Sequence, residues 1–151
     1  MLKLIAVLAS MMFLVLGGAR NAIASPAKPS TSEYLVTEGA GFLMHQGEGV
    51  IYAMTFAVRK NLAQTLYATV VYENPSNSKA PFVVGGSIAP GQKEFLSESP
   101  GIPAIKNQRA YRVEVYLFSD EARTHQVGYH AQLVFFQIPK GMEAMYDIKL
   151  L

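Results

Sequence analysis

The sequence predicts an all-β fold, a sandwich of about seven short strands that follows an N-terminal export signal. Three observations lead to this prediction. Apolar and polar residues alternate with a period of two in several short segments, and glycine and proline turns separate those segments. No segment before residue 140 repeats apolar residues with a helical period. Because successive side chains of a strand point to opposite faces, each alternating segment has one face suited to burial.

Residues 1–24 have the pattern of a cleaved secretory signal peptide. Lys3 precedes an apolar run over residues 4–16, and Ala-Ile-Ala at 22–24 offers small residues to a signal peptidase. The run is shorter than the roughly 20 residues that a membrane-spanning helix requires. We therefore expect cleavage after Ala24, with Ala19 as the alternative position, and a secreted or periplasmic chain without a transmembrane segment.

The charge of the chain limits the kinds of partner that it is expected to bind, and its cysteine content limits the covalent links that it can form. The chain has 13 basic and 11 acidic residues, and removal of Lys3 and Arg20 with the signal leaves 11 of each. The remaining sequence has no Lys/Arg cluster that could follow a phosphate backbone or an anionic membrane, so nucleic acid is not an expected partner. Cysteine is absent, which excludes disulfides and a lipid-modified cysteine. The 127 residues that remain (151 minus 24) suit one domain.

Residues 25–32 form a polar leader, expected to be a flexible tether, and the β-sandwich is expected over 33–138. Its early part predicts a strand at 34–37 and another near 41–45. The later strands are predicted at 50–59, 65–73, 82–88, 93–97, 110–118 and 125–137. The Gly85-Gly86 pair inside one of these strands predicts a bulge or a bend.

The last two strands, with SDEART between them, predict a hairpin. Tyr111, Val113, Val115 and Leu117 are expected on the core face of the first strand, and alternation assigns Tyr129, Ala131, Leu133 and Phe135 to the core face of the second. This assignment leaves an outer face that is more apolar than solubility requires. The outer-face residues, predicted to bind a partner, are Tyr116, Phe118, Val134 and Phe136.

The run SIAPGQKEFL ahead of YRVEVYLFSD resembles the turn-then-strand sequence of bacterial immunoglobulin-like and fibronectin-like secreted modules. The resemblance covers residues 50–136 and implies an immunoglobulin-like or fibronectin-like sandwich. It implies no site residues, and the Cys and Trp markers of antibody domains are missing from this chain.

The segment 139–151 is compatible with two structures. A short helix would place Met142, Met145 and Ile148 on one side, whereas a strand would use Tyr146, Ile148 and Leu150. Its apolar end indicates docking, either on the domain's own core or on a partner.

Histidine offers the main candidates for chemistry. His125 and His130 lie five residues apart, so in a regular strand they face opposite sides and cannot share one metal ion. His130 could meet Glu114 across the hairpin on an exposed polar face, and His45 lies in a glycine-rich loop near Glu48. The competing interpretations are a solvated strand face and an ordinary turn.

No nucleophile elbow, HExxH or phosphate-binding loop occurs in the sequence. We therefore expect a non-enzymatic protein without a cofactor, a catalytic residue or a bound metal, which binds another envelope protein through the outer face or by pairing at a strand edge. The alternative is a periplasmic module that binds a small ligand or a metal through Glu114 and His130, or through the loops around His45.

Overall fold

The computed structural model of the protein describes residues 32–45 and 49–151. The predicted signal peptide lies outside the described residues, as does the leader except for Ser32. The all-β prediction is confirmed, because the described residues form seven strands and no helix. The strands are β1 (Leu35–His45), β2 (Gly49–Val58), β3 (Leu66–Tyr72), β4 (Phe82–Ile88), β5 (Glu94–Glu98), β6 (Arg109–Phe118) and β7 (Gln126–Phe136).

The strands form two antiparallel sheets that pack face to face. One sheet has the order β1-β2-β5 and the other has the order β4-β3-β6-β7. Buried residues from both sheets form one hydrophobic cluster, which includes Phe56 from β2, Val70 from β3 and Val115 from β6. The alternation in the sequence explains this arrangement, since every second residue is buried throughout β3 and from Val50 to Phe56 in β2.

Three fully buried tyrosines lie in the core, and each hydroxyl has a hydrogen-bond partner. Tyr52 donates to the carbonyl of Glu73 at 2.7 Å, and the Tyr72 hydroxyl bonds to the Ser97 hydroxyl at 2.6 Å. The Tyr111 hydroxyl accepts from the amide of Lys106 at 2.8 Å and donates to the Lys106 carbonyl at 3.1 Å. Burial raises the pKa of Tyr72 to about 12. These bonds allow large polar rings to fill the core.

The first strand differs from its prediction. Residues 35–45 form a single strand, where the sequence predicted separate strands at 34–37 and 41–45. The register with β2 shifts between Thr37 and Gly39, so Glu38 is an extra residue on the β1 side. This β-bulge interrupts the alternation in the sequence without ending the strand.

Of the bulge or bend predicted at Gly85-Gly86, the bulge is wrong, since β4 pairs with β3 in an unbroken register. The two glycines instead leave space for neighbouring side chains. A Cβ atom at Gly86 would lie 2.8 Å from Cε2 of Phe95, which packs from the other sheet. A Cβ atom at Gly85 would lie 2.9 Å from a guanidinium nitrogen of Arg123. Glycine at these positions therefore reflects close packing.

The β6–β7 hairpin is confirmed, but the face assignment of β7 is wrong. Val134 pairs with Tyr111 and Phe136 pairs with Arg109, and both belong to the core with exposed fractions of 3% and 2%. The neighbouring Phe135 is 49% exposed. The register shifts where Leu117 pairs with Gly128 and Phe118 pairs with Gln126. A one-residue shift moves every side chain of a strand to the opposite face.

The C-terminal segment contacts the connection between β5 and β6. Ile105 forms a parallel bridge with Leu150, and its amide donates to the carbonyl of Lys149 at 2.9 Å. Ile148 is buried in the core cluster. Neither the predicted helix nor a full strand forms, and a turn followed by this single bridge takes their place. The described part of the chain offers no helix that could span a membrane.

Candidate functional site

The candidate site is the outer face of the four-stranded sheet, the side that points away from the core. Cross-strand pairing orders its side chains in rows, because directly paired residues of an antiparallel sheet point to the same side. One row contains Tyr67 and Phe118, and the next contains Thr69, Tyr116 and Tyr129. We define the outer face by Tyr67, Thr69, Val71, Val83, Arg112, Glu114, Tyr116, Phe118, Tyr129 and Leu133.

Four aromatic rings lie together in these two rows. Tyr116 and Phe118 lie on the outer face as predicted, and both are half-buried. The ring centroids of Tyr116 and Tyr129 are 5.1 Å apart at an angle of 52°. Tyr67 pairs with Phe118 in the adjoining row and is half-buried too. Part of each ring faces solvent, so the face offers a patch of aromatic surface of the kind enriched in protein interfaces.

A polar network adjoins the rings. Tyr129 donates a hydrogen bond to Oε1 of Glu114 at 2.6 Å, and Oε2 of Glu114 lies 3.3 Å from the Arg112 guanidinium. Burial, together with the bond to Glu114, raises the pKa of Tyr129 to about 12, so the hydroxyl stays a donor at neutral pH. Since both carboxylate oxygens have partners, Glu114 fixes the Tyr129 ring rather than offering a free ligand.

The turn between β6 and β7 is organised by Asp120. Its carboxylate accepts hydrogen bonds from the amide of Thr124 at 2.9 Å and the amide of His125 at 2.7 Å. These backbone hydrogen bonds hold the pKa of Asp120 down to about 2. Arg123 follows with a left-handed backbone, φ 56°, and its guanidinium reaches Gly85 on β4. The turn thus brings a cation to the edge of the outer face.

The predicted pairing of Glu114 with His130 is wrong. His130 pairs with Val115 and points into the core with 3% of its surface exposed, whereas Glu114 pairs with Ala131 and points outward. The imidazole lies edge-on to Phe56, with ring centroids 5.6 Å apart. Burial lowers the pKa of His130. These two residues therefore cannot hold one ligand or one metal ion together.

His45 ends β1, and the loop that follows it, residues 46–48, lies outside the described residues. His125 is at the hairpin tip, exposed, with Thr124 as a hydrogen-bond partner. In residues 32–45 and 49–151, no three His, Asp or Glu side chains come close enough to hold a metal ion.

Sequence reasoning missed Tyr129, Val83 and Arg123. Alternation in the sequence assigned Tyr129 to the core face, whereas its pairing with Tyr116 places it on the outer face. One signal could have indicated the correct face. A Cβ atom at Gly128 would lie 3.1 Å from the Tyr34 ring and 3.2 Å from Leu117. A glycine inside a strand often marks the side where neighbours approach closely, which assigns 128, 130 and the later even positions to the core side.

No model of a known protein family matches the chain, and no curated protein matches it.

Proposed function

We propose that this protein is an exported, non-enzymatic β-sandwich of the immunoglobulin-like class that binds another protein of the cell envelope through the outer face. The observation that carries the proposal is the cluster of Tyr67, Tyr116, Phe118 and Tyr129 in adjacent rows on the solvent side of the sheet. Clustered aromatic side chains contribute most of the binding energy in many protein interfaces. Support for export comes from the sequence of residues 1–24.

Two features support the immunoglobulin-like class. In such sandwiches the third, sixth and seventh strands share a sheet, and the first, second and fifth lie in the other, as β3-β6-β7 and β1-β2-β5 do here. The Tyr111 hydroxyl, near the start of β6, bonds back to Lys106 five residues upstream. This geometry matches the tyrosine corner of these domains.

The test is capture of a partner with a variant that removes only the outer-face rings. The full chain with a C-terminal tag is expressed in its own cell, crosslinked briefly and captured, and the bound proteins are identified by mass spectrometry. We expect one protein to be enriched with the wild type and lost with the Tyr116→Ser/Phe118→Ser variant. Both residues are half-buried on the solvent side, so the variant should fold, which thermal unfolding would verify.

The matched control is Leu96→Ser, which removes a 67% exposed apolar side chain from the other sheet. Leu96 pairs with Thr55 in the three-stranded sheet, away from the outer face. The control should capture the same protein as the wild type. Equal loss with both variants, or undiminished capture by the double variant, would refute the outer face as the binding surface.

A further inference from the structure

The four edge strands of the sandwich are not equally protected against pairing with another strand. β1 and β5 are the edges of one sheet, and β4 and β7 are the edges of the other. β1 contains the bulge at Glu38, and β5 is five residues long with exposed Glu94 and Glu98. β7 lies along β1, joined by the hydrogen bond between Thr37 and His130. Bulges, charges, short length and coverage are the usual protections of an edge strand.

β4 carries none of these protections along its first half. The strand, FVVGGSI, contains no charged residue and no proline, and its register with β3 is continuous. Val83 is 61% exposed on the outer face, and Phe82 and Val84 are half-buried against the core. Phe95 of the other sheet lies close to Gly86, so the open stretch is residues 82–85. A strand added here would cover Phe82 and Val84 with its inward side chains.

A cation lies at this open edge. A guanidinium nitrogen of Arg123 lies 2.9 Å from the position of a Cβ atom on Gly85, so it occupies the space above the strand that a side chain would fill. Among the salt bridges that the described residues form, none includes Arg123. Its left-handed backbone, φ 56°, is one that glycine or asparagine adopts more readily.

We propose that β4 is a strand-addition site for an extended segment of a partner protein that places a carboxylate side chain beside Gly85, in contact with Arg123. The inference rests on the proposed protein-binding function and names the chemistry of the partner segment. Main-chain hydrogen bonds to the free edge would supply affinity, and the carboxylate would supply selectivity. A second copy of this chain fits poorly, because two-fold pairing centred on Gly85 would bring two Arg123 side chains together.

The probe is a synthetic peptide, acetyl-Thr-Val-Thr-Val-Glu-Val-Thr-Val-Thr-amide, titrated into the full chain and followed by amide hydrogen exchange. In the added strand, the valines of the peptide would point inward and cover Phe82 and Val84. The glutamate would point to the outer face, toward Arg123. We expect slower exchange within residues 82–85, the open stretch of β4. Replacement of the glutamate by glutamine should weaken binding about fivefold, as for a solvent-accessible ion pair. N-methylation at alternate residues should abolish binding with one set of positions and preserve it with the other, because a strand pairs through one edge.

Substitutions of Arg123 test whether its charge determines the preference for the glutamate peptide. Arg123→Gly removes the charge and relieves the left-handed backbone, so it should remain folded while binding the glutamate and glutamine peptides equally. Arg123→Lys should retain the preference for glutamate. Arg123→Glu should reverse it in favour of a peptide with lysine at that position. The inference would be overturned by an unchanged peptide preference in Arg123→Gly, by absence of protection in residues 82–85, or by no peptide binding.

The two proposals can fail separately. If the peptide tests fail while Tyr116→Ser/Phe118→Ser still loses the captured protein, the outer face binds the partner without strand addition, and the inference is wrong. If Arg123→Gly loses the captured protein as well as the peptide preference, strand addition is the binding mode.

Discussion

Thr37 Oγ1 lies 2.7 Å from His130 Nε2, a side-chain hydrogen bond that joins the first strand to the last. The other ring nitrogen, Nδ1, accepts from the amide of Ser32 at 3.5 Å. An accepting Nδ1 leaves the proton on Nε2, which donates to Thr37. Because the ring packs against Phe56 inside the sandwich, the arrangement requires a neutral imidazole. His130, a candidate ligand in the sequence analysis, is a part of the core.

The stability of the protein should fall as the pH decreases below about 6.5. Burial lowers the pKa of His130 from its ordinary 6.5, so the unfolded chain binds a proton at a higher pH than the folded protein does. The contribution of neutral His130 to the stability of the fold is fully present above pH 6.5. It is lost as the pH falls toward the pKa of His130 in the folded protein. Urea unfolding of the full chain between pH 7.5 and 5 measures this slope. His130→Gln should flatten it. An equal slope in His130→Gln would contradict the prediction.

Adjacent phenylalanines of β7 should respond differently to truncation. Phe136 is buried and packs edge-on to Phe42, with ring centroids 5.0 Å apart, so Phe136→Ala should destabilise the fold by about 3–5 kcal/mol. Phe135 is 49% exposed, and Phe135→Ala should change stability by about 0.5 kcal/mol or less. Denaturant unfolding of the two variants decides the register of β7. The reverse order of the two effects would restore the face assignment made from the sequence.

The strands were predictable from the sequence because their alternation is local. The bounds of β4 match the predicted 82–88, and β6 differs by one residue. Apart from Gly128, residue types did not distinguish the two faces of β7, since both sets of alternate positions contain large apolar side chains. The bulge near Val127 and the Asp120 turn set the register, and these depend on tertiary geometry. The candidate site inherited this error. The sequence predicted Tyr116, Phe118, Val134 and Phe136 on the outer face, whereas the structure places only the first two there and buries the other two in the core.

The close approach of the two sheets at Gly86 should be sensitive to one methyl group. A Cβ atom there would lie 2.8 Å from Cε2 and 3.0 Å from Cζ of Phe95. Phe95 is buried, so its ring has little space to move, and Gly86→Ala should cost about 1–3 kcal/mol. The matched control is Gly41→Ala, where a Cβ atom would meet no atom within 4 Å. Chemical denaturation of both variants measures the change in the free energy of unfolding that each substitution causes.

The Gly41→Ala variant should be neutral or slightly stabilised, because alanine restricts the unfolded chain. Addition of Phe95→Leu to Gly86→Ala should recover part of the loss, since the shorter side chain vacates the contact. A loss that is equal in Gly41→Ala and Gly86→Ala would show that strand propensity, and not the approach of Phe95, determines the effect.

The hydroxyl of Tyr111 should stabilise the C-terminal segment as well as the core. Its two hydrogen bonds fix Lys106, and the adjacent Ile105 bonds to Lys149 and Leu151 through its amide and carbonyl. Tyr111→Phe keeps the ring and leaves the partly buried Lys106 groups without this partner, so we expect a loss of about 1–2 kcal/mol. Because the lost bonds are adjacent to the bridge, amide exchange at Ile105 and Leu151 should accelerate more than exchange in β2 or β3. As a control, Tyr67→Phe removes a tyrosine hydroxyl from the outer face. It should change neither the stability of the protein nor the amide exchange of Ile105 and Leu151. Uniform acceleration across all strands in Tyr111→Phe would mean that the hydroxyl supports the whole fold and does not act through the Lys106 connection.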